Sequence, residues 1–290
     1  MKSSPNRATR ISIIGKSRAG GSIASALRAN KNGAFVLHSQ ISAHALLGLR
    51  SERDAAAARQ VLRRNGGPDV LIIATNDDSI DATAREALRV AGNTVVRIIQ
   101  LAGSRPSTLL PAVEGVARLT LHPIQTFPRI NASQLTGITW TVASDEPSAI
   151  VWGKRFVKAL GAKRPIVLTN EQLPLYHAML SLSANGIAIL LGAAEAIMRG
   201  LGLNEREMKL AIQPLMERSL ANALARPAGD ALTGPIARGD SKTIASHKHA
   251  IAALDQPAIA ALYDALERST RELTVANGTS AKHNKLLRKR

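Results

Sequence analysis

Cysteine is absent from the 290-residue chain, which excludes a disulfide framework and a thiolate metal site and accords with a reducing compartment. Histidine offers metal no better lodging: the seven residues lack H-E-x-x-H or any comparable spacing, so no metal centre is expected. Aromatics are scarce, with three Phe, two Tyr and two Trp, leaving little for nucleobases to stack on. Acids are also outnumbered, 21 against 38 Lys and Arg, for a formal net charge of +17. Such an excess concentrates anions near the surface. The positive residues are nevertheless scattered, and the tail KHNKLLRKR supplies part of the charge, so they read as a solvated basic surface rather than a nucleic-acid site.

A secretory leader is not evident either. The segment MKSSPNRATR runs into an apolar stretch of only four residues, shorter than a signal-peptide core, and a cytoplasmic location is the expectation. One apolar run is long: AMLSLSANGIAILLGAAEAIM, residues 178–198, could cross a bilayer. Ser181, Ser183, Asn185 and Glu195 interrupt it and no second comparable run exists, so it is read as a buried core helix.

What the chain does have is 45% apolar residues, enough to fill a substantial core. Seven β-like runs, ISII, AFVLHS, DVLIIAT, VVRIIQ, ARLTL, GITWTV and RPIVLT, lie between residue 11 and residue 169. Helical stretches separate several of them: 20–30, 52–64, 79–90 and 145–160, the last closed by Gly161. This alternation predicts a parallel sheet covered on both faces, with residues 41–51 unassigned. After Thr169 only helices are expected: about 25 residues from near Pro174, then 204–225, 240–254 and 257–277 with Gly278 as terminator. Asn204 and Asp240 are the anticipated N-caps. The expected architecture is α/β, a Rossmann-like domain (1–169), an all-α domain (170–280) and a disordered basic tail (281–290).

The stretch ISIIGKSRAGGSIASAL, residues 11–27, nearly spells G-x-G-x-x-G, with Ser17 in place of the middle glycine. In that turn the first glycine permits a tight bend, the second admits a pyrophosphate and the third lets helix and strand pack closely. Gly15 and Gly20 keep the outer roles, while Ser17 adds a Cβ and a hydroxyl on the phosphate path. The helix N-terminus presents amides and positive potential to an anion, and Lys16 and Arg18 add charge. A bare strand-to-helix turn is the competing reading. The expected cofactor contacts are Gly15, Lys16, Ser17, Arg18, Ala19 and Gly20, with Ser39 on the second strand and Thr75, Asn76 and Asp77 after the third. For Asn76, Asp77 and Asp78, helix capping is the first reading and cofactor contact the second. No acid stands near Ser39 and Gln40 to bind ribose hydroxyls, which favours NADP over NAD. His38, Ser39, His44 and Arg50 are candidates for its 2′-phosphate.

Three further segments are distinctive: LHPIQTF (121–127), LYHAMLSLSANGIAILLGAAEAI (175–197) and ALTGPIARGDSKTIASHKHAI (231–251). With the N-terminal turn and NDDSI (76–80), they resemble the bacterial Rossmann-like proteins that carry the domain of unknown function DUF2520, in matching order over nearly the whole chain. The resemblance implies a helical domain similar to that of 6-phosphogluconate dehydrogenase. It also implies kinship with ketopantoate reductase and pyrroline-5-carboxylate reductase, and NAD(P)-dependent reduction. The chain departs from the family pattern at Ser17, at QLAG (100–103), where an H-x-S-G-like stretch is usual, and after the second strand, where an arginine often stands.

His177, Ser181 and Asn185 are spaced by four and share one helix face. Related hydroxyacid dehydrogenases place a lysine and an asparagine four apart on the corresponding helix, and no lysine occurs here. These three are the expected catalytic residues: His177 to protonate oxygen or nitrogen as hydride arrives, Asn185 to orient the reacting group. Hydrogen bonding to neighbouring helices is the alternative. Arg238, Asp240 and His122 are the candidate substrate contacts. Arg238 could clamp a carboxylate or phosphate, Asp240 could instead serve as a helix cap, and His122 ends a strand at the edge where α/β sheets bind ligands. The resulting expectation is an NADP-dependent oxidoreductase acting on a small anionic substrate, homodimeric through the helical domain, with a non-catalytic nucleotide- or metabolite-binding protein as the alternative.

Overall fold

Runs of β-branched residues build the sheet. In a computed structural model describing residues 7–30 and 33–287, seven strands form: β1 (Thr9–Ile14), β2 (Phe35–Ile41), β3 (Val70–Ile73), β4 (Arg97–Gln100), β5 (Ala117–Pro123), β6 (Trp140–Ala143) and β7 (Pro165–Val167). Each corresponds to one of the seven runs named above. Their order is β2-β1-β3-β4-β5-β6-β7. The first five are parallel, but β6 runs antiparallel to β5, with His122 opposite Thr141, and β7 is parallel to β6. The expected all-parallel sheet is thus corrected at one edge, because β6 returns from β5 through a connection with no crossover α-helix, as an antiparallel neighbour allows.

Alternation along the strands feeds two cores. Ile11, Ile13, Val70, Ile72, Leu119 and Leu121 pack on one face with α1 (Arg18–Ala29) and, farther along the chain, the helix Pro147–Ala159. Leu71, Ile73 and Ile98 take the other face with Ala58 and Leu62 of the helix Glu52–Arg63 and Ala84 and Ala87 of the helix Ile80–Ala91. In chain order these last three helices are α3, α4 and α5. The short α2 (Ala43–Leu46) occupies the formerly unassigned stretch and buries Leu46. Gly161, with φ +92°, closes α5 as expected.

Only helices follow β7 among the described residues: α6 (Leu173–Gly200), α7 (Glu205–Ala225), α8 (Ala228–Ala231), α9 (Gly234–Arg238), α10 (Ser241–Ala252) and α11 (Pro257–Leu287). Asn204 caps α7 in a reciprocal box with Glu207, and Asp240 caps α10. Gly278 does not end α11, which continues to Leu287 into the segment expected to be a disordered tail. Residues 288–290 of that tail lie outside the described residues. The chain divides into two compact units, residues 1–184 and 185–290. The second has a small core of Ala196, Ile251 and Ile259, with Ala193, Ile197, Ala260 and Tyr263 beside it.

One expectation fails outright. The apolar run in α6 is not a buried core helix: Leu175 and Leu182 are 80% and 78% exposed, and Met179, Ile187, Ile189 and Leu190 are exposed as well. Its residues 170–200 include a segment long and apolar enough to cross a membrane, of which 6% is buried. The amphipathic pattern that would mark one face for burial is weak.

Candidate functional site

The carboxyl ends of β1, β3, β4 and β5 emerge on one edge of the parallel sheet, where α/β folds bind ligands. Gly15 leaves β1 with φ +122°, and a Cβ there would collide with the Ala74 carbonyl. Gly20 lets α1 settle on β3: an added Cβ would lie 2.5 Å from Ala74 Cβ. The two outer glycines therefore have the steric roles that a dinucleotide turn requires. Ser17 adopts an ordinary extended conformation (φ −60°, ψ 153°) as the N-cap of α1, and its Oγ accepts from Gly20 N at 3.1 Å. The hydroxyl is thus engaged by the helix rather than projecting unpartnered into the phosphate path. With Gly20 N occupied, the amides of Arg18 and Ala19 are the first-turn donors left for an anion. The Arg18 guanidinium donates to the Pro128 carbonyl at 3.2 Å, which ties the 124–131 segment across this turn.

Beside the turn lies a cavity of about 270 Å³ lined by Gly15, Lys16, His44, Arg50, Thr75 and Asn76, among others. Three of these can be cations, and all three are exposed. A glycine whose missing Cβ leaves room, open helix amides and a basic recess together fit a phosphorylated dinucleotide such as NADP. Ser39 must be withdrawn from the contacts: it is buried, and its hydroxyl pairs with Ser12 Oγ at 2.7 Å between β1 and β2. His38 turns away too, its Nε2 lying 3.3 Å from the Leu62 carbonyl; burial first, and the Arg10 and Arg64 charges after it, hold its pKa below the usual histidine value. Asn76 is the N-cap of a single 3-10 turn that includes Asp77, and Arg105 Nε donates to Asp77 Oδ2 at 3.1 Å, linking the loops after β3 and β4.

The β4 loop is tightly held. Gln100 Oε1 accepts from Ala102 N at 2.6 Å, while Gln100 Nε2 donates to the Arg105 carbonyl at 2.6 Å and to Thr120 Oγ1 at 2.7 Å. This places Gly103 against two imidazoles: a Cβ there would lie 2.8 Å from His177 Cδ2 and 2.9 Å from both Cδ2 and Cε1 of His122. His122, at the end of β5, has its Nδ1 2.8 Å from Tyr176 Oη. The His122 and His177 rings meet edge-on with centroids 5.9 Å apart. Burial, assisted by the charge of His177, lowers the His122 pKa to about 4, and burial raises that of Tyr176.

His122 and His177, nominated separately, are therefore neighbours. Tyr176 was missed. Its only signal in the sequence was a place beside His177 in LYHAML, and its partner lies 54 residues away. Ser181 and Asn185 make no side-chain hydrogen bond with the described residues, and Ser181 is half-buried. Arg238 and Asp240 belong to the second unit. Arg238 is exposed at the end of α9. Asp240 is corrected to a structural role, because its two oxygens accept from Thr243 N at 3.1 Å and Thr243 Oγ1 at 2.7 Å. Those bonds, with Arg238 nearby, hold its carboxyl below the usual range. No group of three or more His, Asp or Glu positioned for a metal occurs among the described residues.

The overall arrangement recurs in solved structures. A protein from Thermotoga maritima superposes with a TM-score of 0.67 at 19% identity, covering 92% of this chain and 99% of its own. A presumed NADP oxidoreductase from Bacteroides fragilis gives 0.67 at 20% identity, covering 91% and 98%. An imine reductase from Myxococcus stipitatus, in complex with NADP+, gives 0.59 at 16% identity, covering 92% and 94%. No curated protein sequence matches the chain. Residues 138–270 match the family model described as a domain of unknown function, DUF2520. The matched segment is similar to that domain and takes in the last two strands of the Rossmann-like sheet.

Proposed function

We propose that the protein is an NADP-dependent oxidoreductase that moves a hydride between the nicotinamide and a small anionic keto/hydroxy or imino/amino compound. The observation that carries this reading is the Gly15 to Gly20 turn, sterically suited to a dinucleotide and flanked by a recess with Lys16, His44 and Arg50. Bound there, the coenzyme would supply the hydride. Lys16, His44 and Arg50 would hold a 2′-phosphate, and the Arg18 and Ala19 amides would face the pyrophosphate. The NADP complex of the Myxococcus stipitatus imine reductase, a protein of similar fold, supports the choice of coenzyme. Near Gly103, the His177 imidazole is the group available to donate a proton as the substrate carbon is reduced. Ser181, one turn farther along α6, would orient the reacting group.

Calorimetry with NADPH and NADH tests this directly. Charge-assisted contacts to a phosphate contribute about 1.5–3 kcal/mol each. Replacing Arg50 or Lys16 by Ala should weaken NADPH binding roughly ten- to a hundredfold and leave NADH binding nearly unchanged. Equal losses for both coenzymes would remove the NADP assignment. A second reading, a non-catalytic nucleotide- or metabolite-binding protein, draws on Ser17, whose Cβ and hydroxyl occupy the usual glycine position. It predicts metabolite binding without NADPH oxidation by any keto acid or cyclic imine. The reading also includes a cytoplasmic homodimer in which a second copy covers the exposed apolar faces of α6 and α7.

A further inference from the structure

His122 has two ring nitrogens, and the described residues engage one. Nδ1 meets Tyr176 Oη at 2.8 Å, while Nε2 has no hydrogen-bond partner among them. A phenol is a good donor and a poor acceptor, whereas an unprotonated imidazole nitrogen is a good acceptor. With Tyr176 Oη–H donating to Nδ1, the imidazole proton would be left on Nε2. Burial favours the uncharged form of both partners, so the arrangement holds at neutral pH. The titratable groups facing this ring are Tyr176 and His177, both on α6; Gly103 from the β4 loop and Thr141 from β6 add no charge.

Gly103 completes the geometry. The ring atoms nearest its absent Cβ are Cδ2 and Cε1, the two that flank Nε2, so no side chain at position 103 screens that nitrogen. The Gln100 and Thr120 hydrogen bonds fix the loop in this position.

We propose that Tyr176 holds His122 as the Nε2–H tautomer and that this N–H is the donor that polarises the C=O or C=N bond of the substrate, leaving proton delivery to His177. The inference rests on the oxidoreductase reading and deepens it by dividing labour between the two histidines. The substrate carbon accepts a hydride, with its electron pair, from a dihydronicotinamide. The π pair of the C=O or C=N bond moves onto oxygen or nitrogen, which accepts a hydrogen bond from His122 Nε2–H. His122 keeps its proton throughout. His177 passes one proton to the same atom and regains one from solvent hydronium or buffer acid. His122 is thus a catalytic residue that acts as a neutral donor, and Tyr176 is a positioning residue.

The test uses the full chain with ¹⁵N-labelled histidine. Long-range ¹H–¹⁵N spectra at pH 7 should show His122 protonated at Nε2 only, with a mixture of tautomers appearing in Y176F. Protonation at Nδ1, or an imidazolium at pH 7, would overturn the proposal without bearing on coenzyme binding. The second arm follows NADPH oxidation with a panel of α-keto acids and cyclic imines. H122Q, which retains an N–H donor near the Nε2 position, should keep at least tenfold more kcat than H122A, with KM for NADPH unchanged in both. Equal losses in the two variants overturn the donor role. If the wild-type chain oxidises no NADPH with any member of the panel, the oxidoreductase reading fails and takes the polarising role with it, while the tautomer spectra still report on the Tyr176–His122 pair.

Discussion

His122 shows how one side chain ties the site to stability. Its pKa in the folded chain, about 4, lies below the ordinary 6.5, so between those values the unfolded chain binds the additional proton. Stability then rises with pH across that window and is complete above about 6.5. Acidification from pH 7 to pH 4 should cost on the order of 3 kcal/mol through this group alone. Thermal melts of wild type and H122Q should diverge in slope between pH 6.5 and pH 4, and parallel curves would show that the imidazole is not buried as described. Ser17 makes a different prediction. It caps α1, so Ser17→Ala should cost about 1 kcal/mol, whereas Ser17→Gly should cost only a few tenths. The glycine variant also removes the Cβ from the phosphate path, and NADPH should bind it more tightly than wild type in a fluorescence titration.

At the scale of elements, the β1–α1 unit depends on close approach rather than on large side chains. Gly20 rests on Ala74, and an added Cβ would stand 2.5 Å from a methyl group fixed at the end of β3. Gly20→Ala forces helix and strand apart and should cost about 1–3 kcal/mol, the usual penalty of overpacking. A chemical denaturation curve with an unchanged midpoint would contradict that packing. The helix α1 was legible in the sequence because Gly15, Ser17 and Gly20 are local signals. Helix α6 was legible in its length but not in its burial. Its apolar composition looked like a core helix, yet Leu175, Met179, Leu182, Ile187 and Ile189 are exposed, since periodicity tells which residues share a face and not whether anything covers it.

At the scale of the whole molecule, α6 and α7 both carry exposed apolar side chains, Leu210, Leu215, Leu220 and Leu224 on the latter. Exposed apolar surface of this kind marks an interaction site, and the proposal is that a second copy covers it. Sedimentation of the full chain should give a dimer, and the pair L182D and L224D should shift it to monomer without unfolding the sheet. A monomeric wild type that floats with liposomes would replace the dimer by a membrane surface. The charge of +17 adds a control, because dimerisation by apolar contact should survive high salt whereas adhesion to anionic lipid should weaken.

The sequence by itself determined the seven strands, the helices between them, the caps at Asn204 and Asp240 and the glycine turn. Each is encoded within a few residues by periodicity, capping chemistry or the absence of a Cβ. It also nominated His122 and His177, though as separate candidates. Tertiary structure alone decided that they meet, that Tyr176 joins them and that Ser39 spends its hydroxyl on Ser12. It also decided that β6 turns antiparallel, that Lys16, His44 and Arg50 line one recess and that α6 stays uncovered. The physical reason is range: a cap or a turn is settled by neighbours in the chain, whereas hydrogen-bond partners 27 or 54 residues apart are chosen by strand register and loop packing, which no local pattern records.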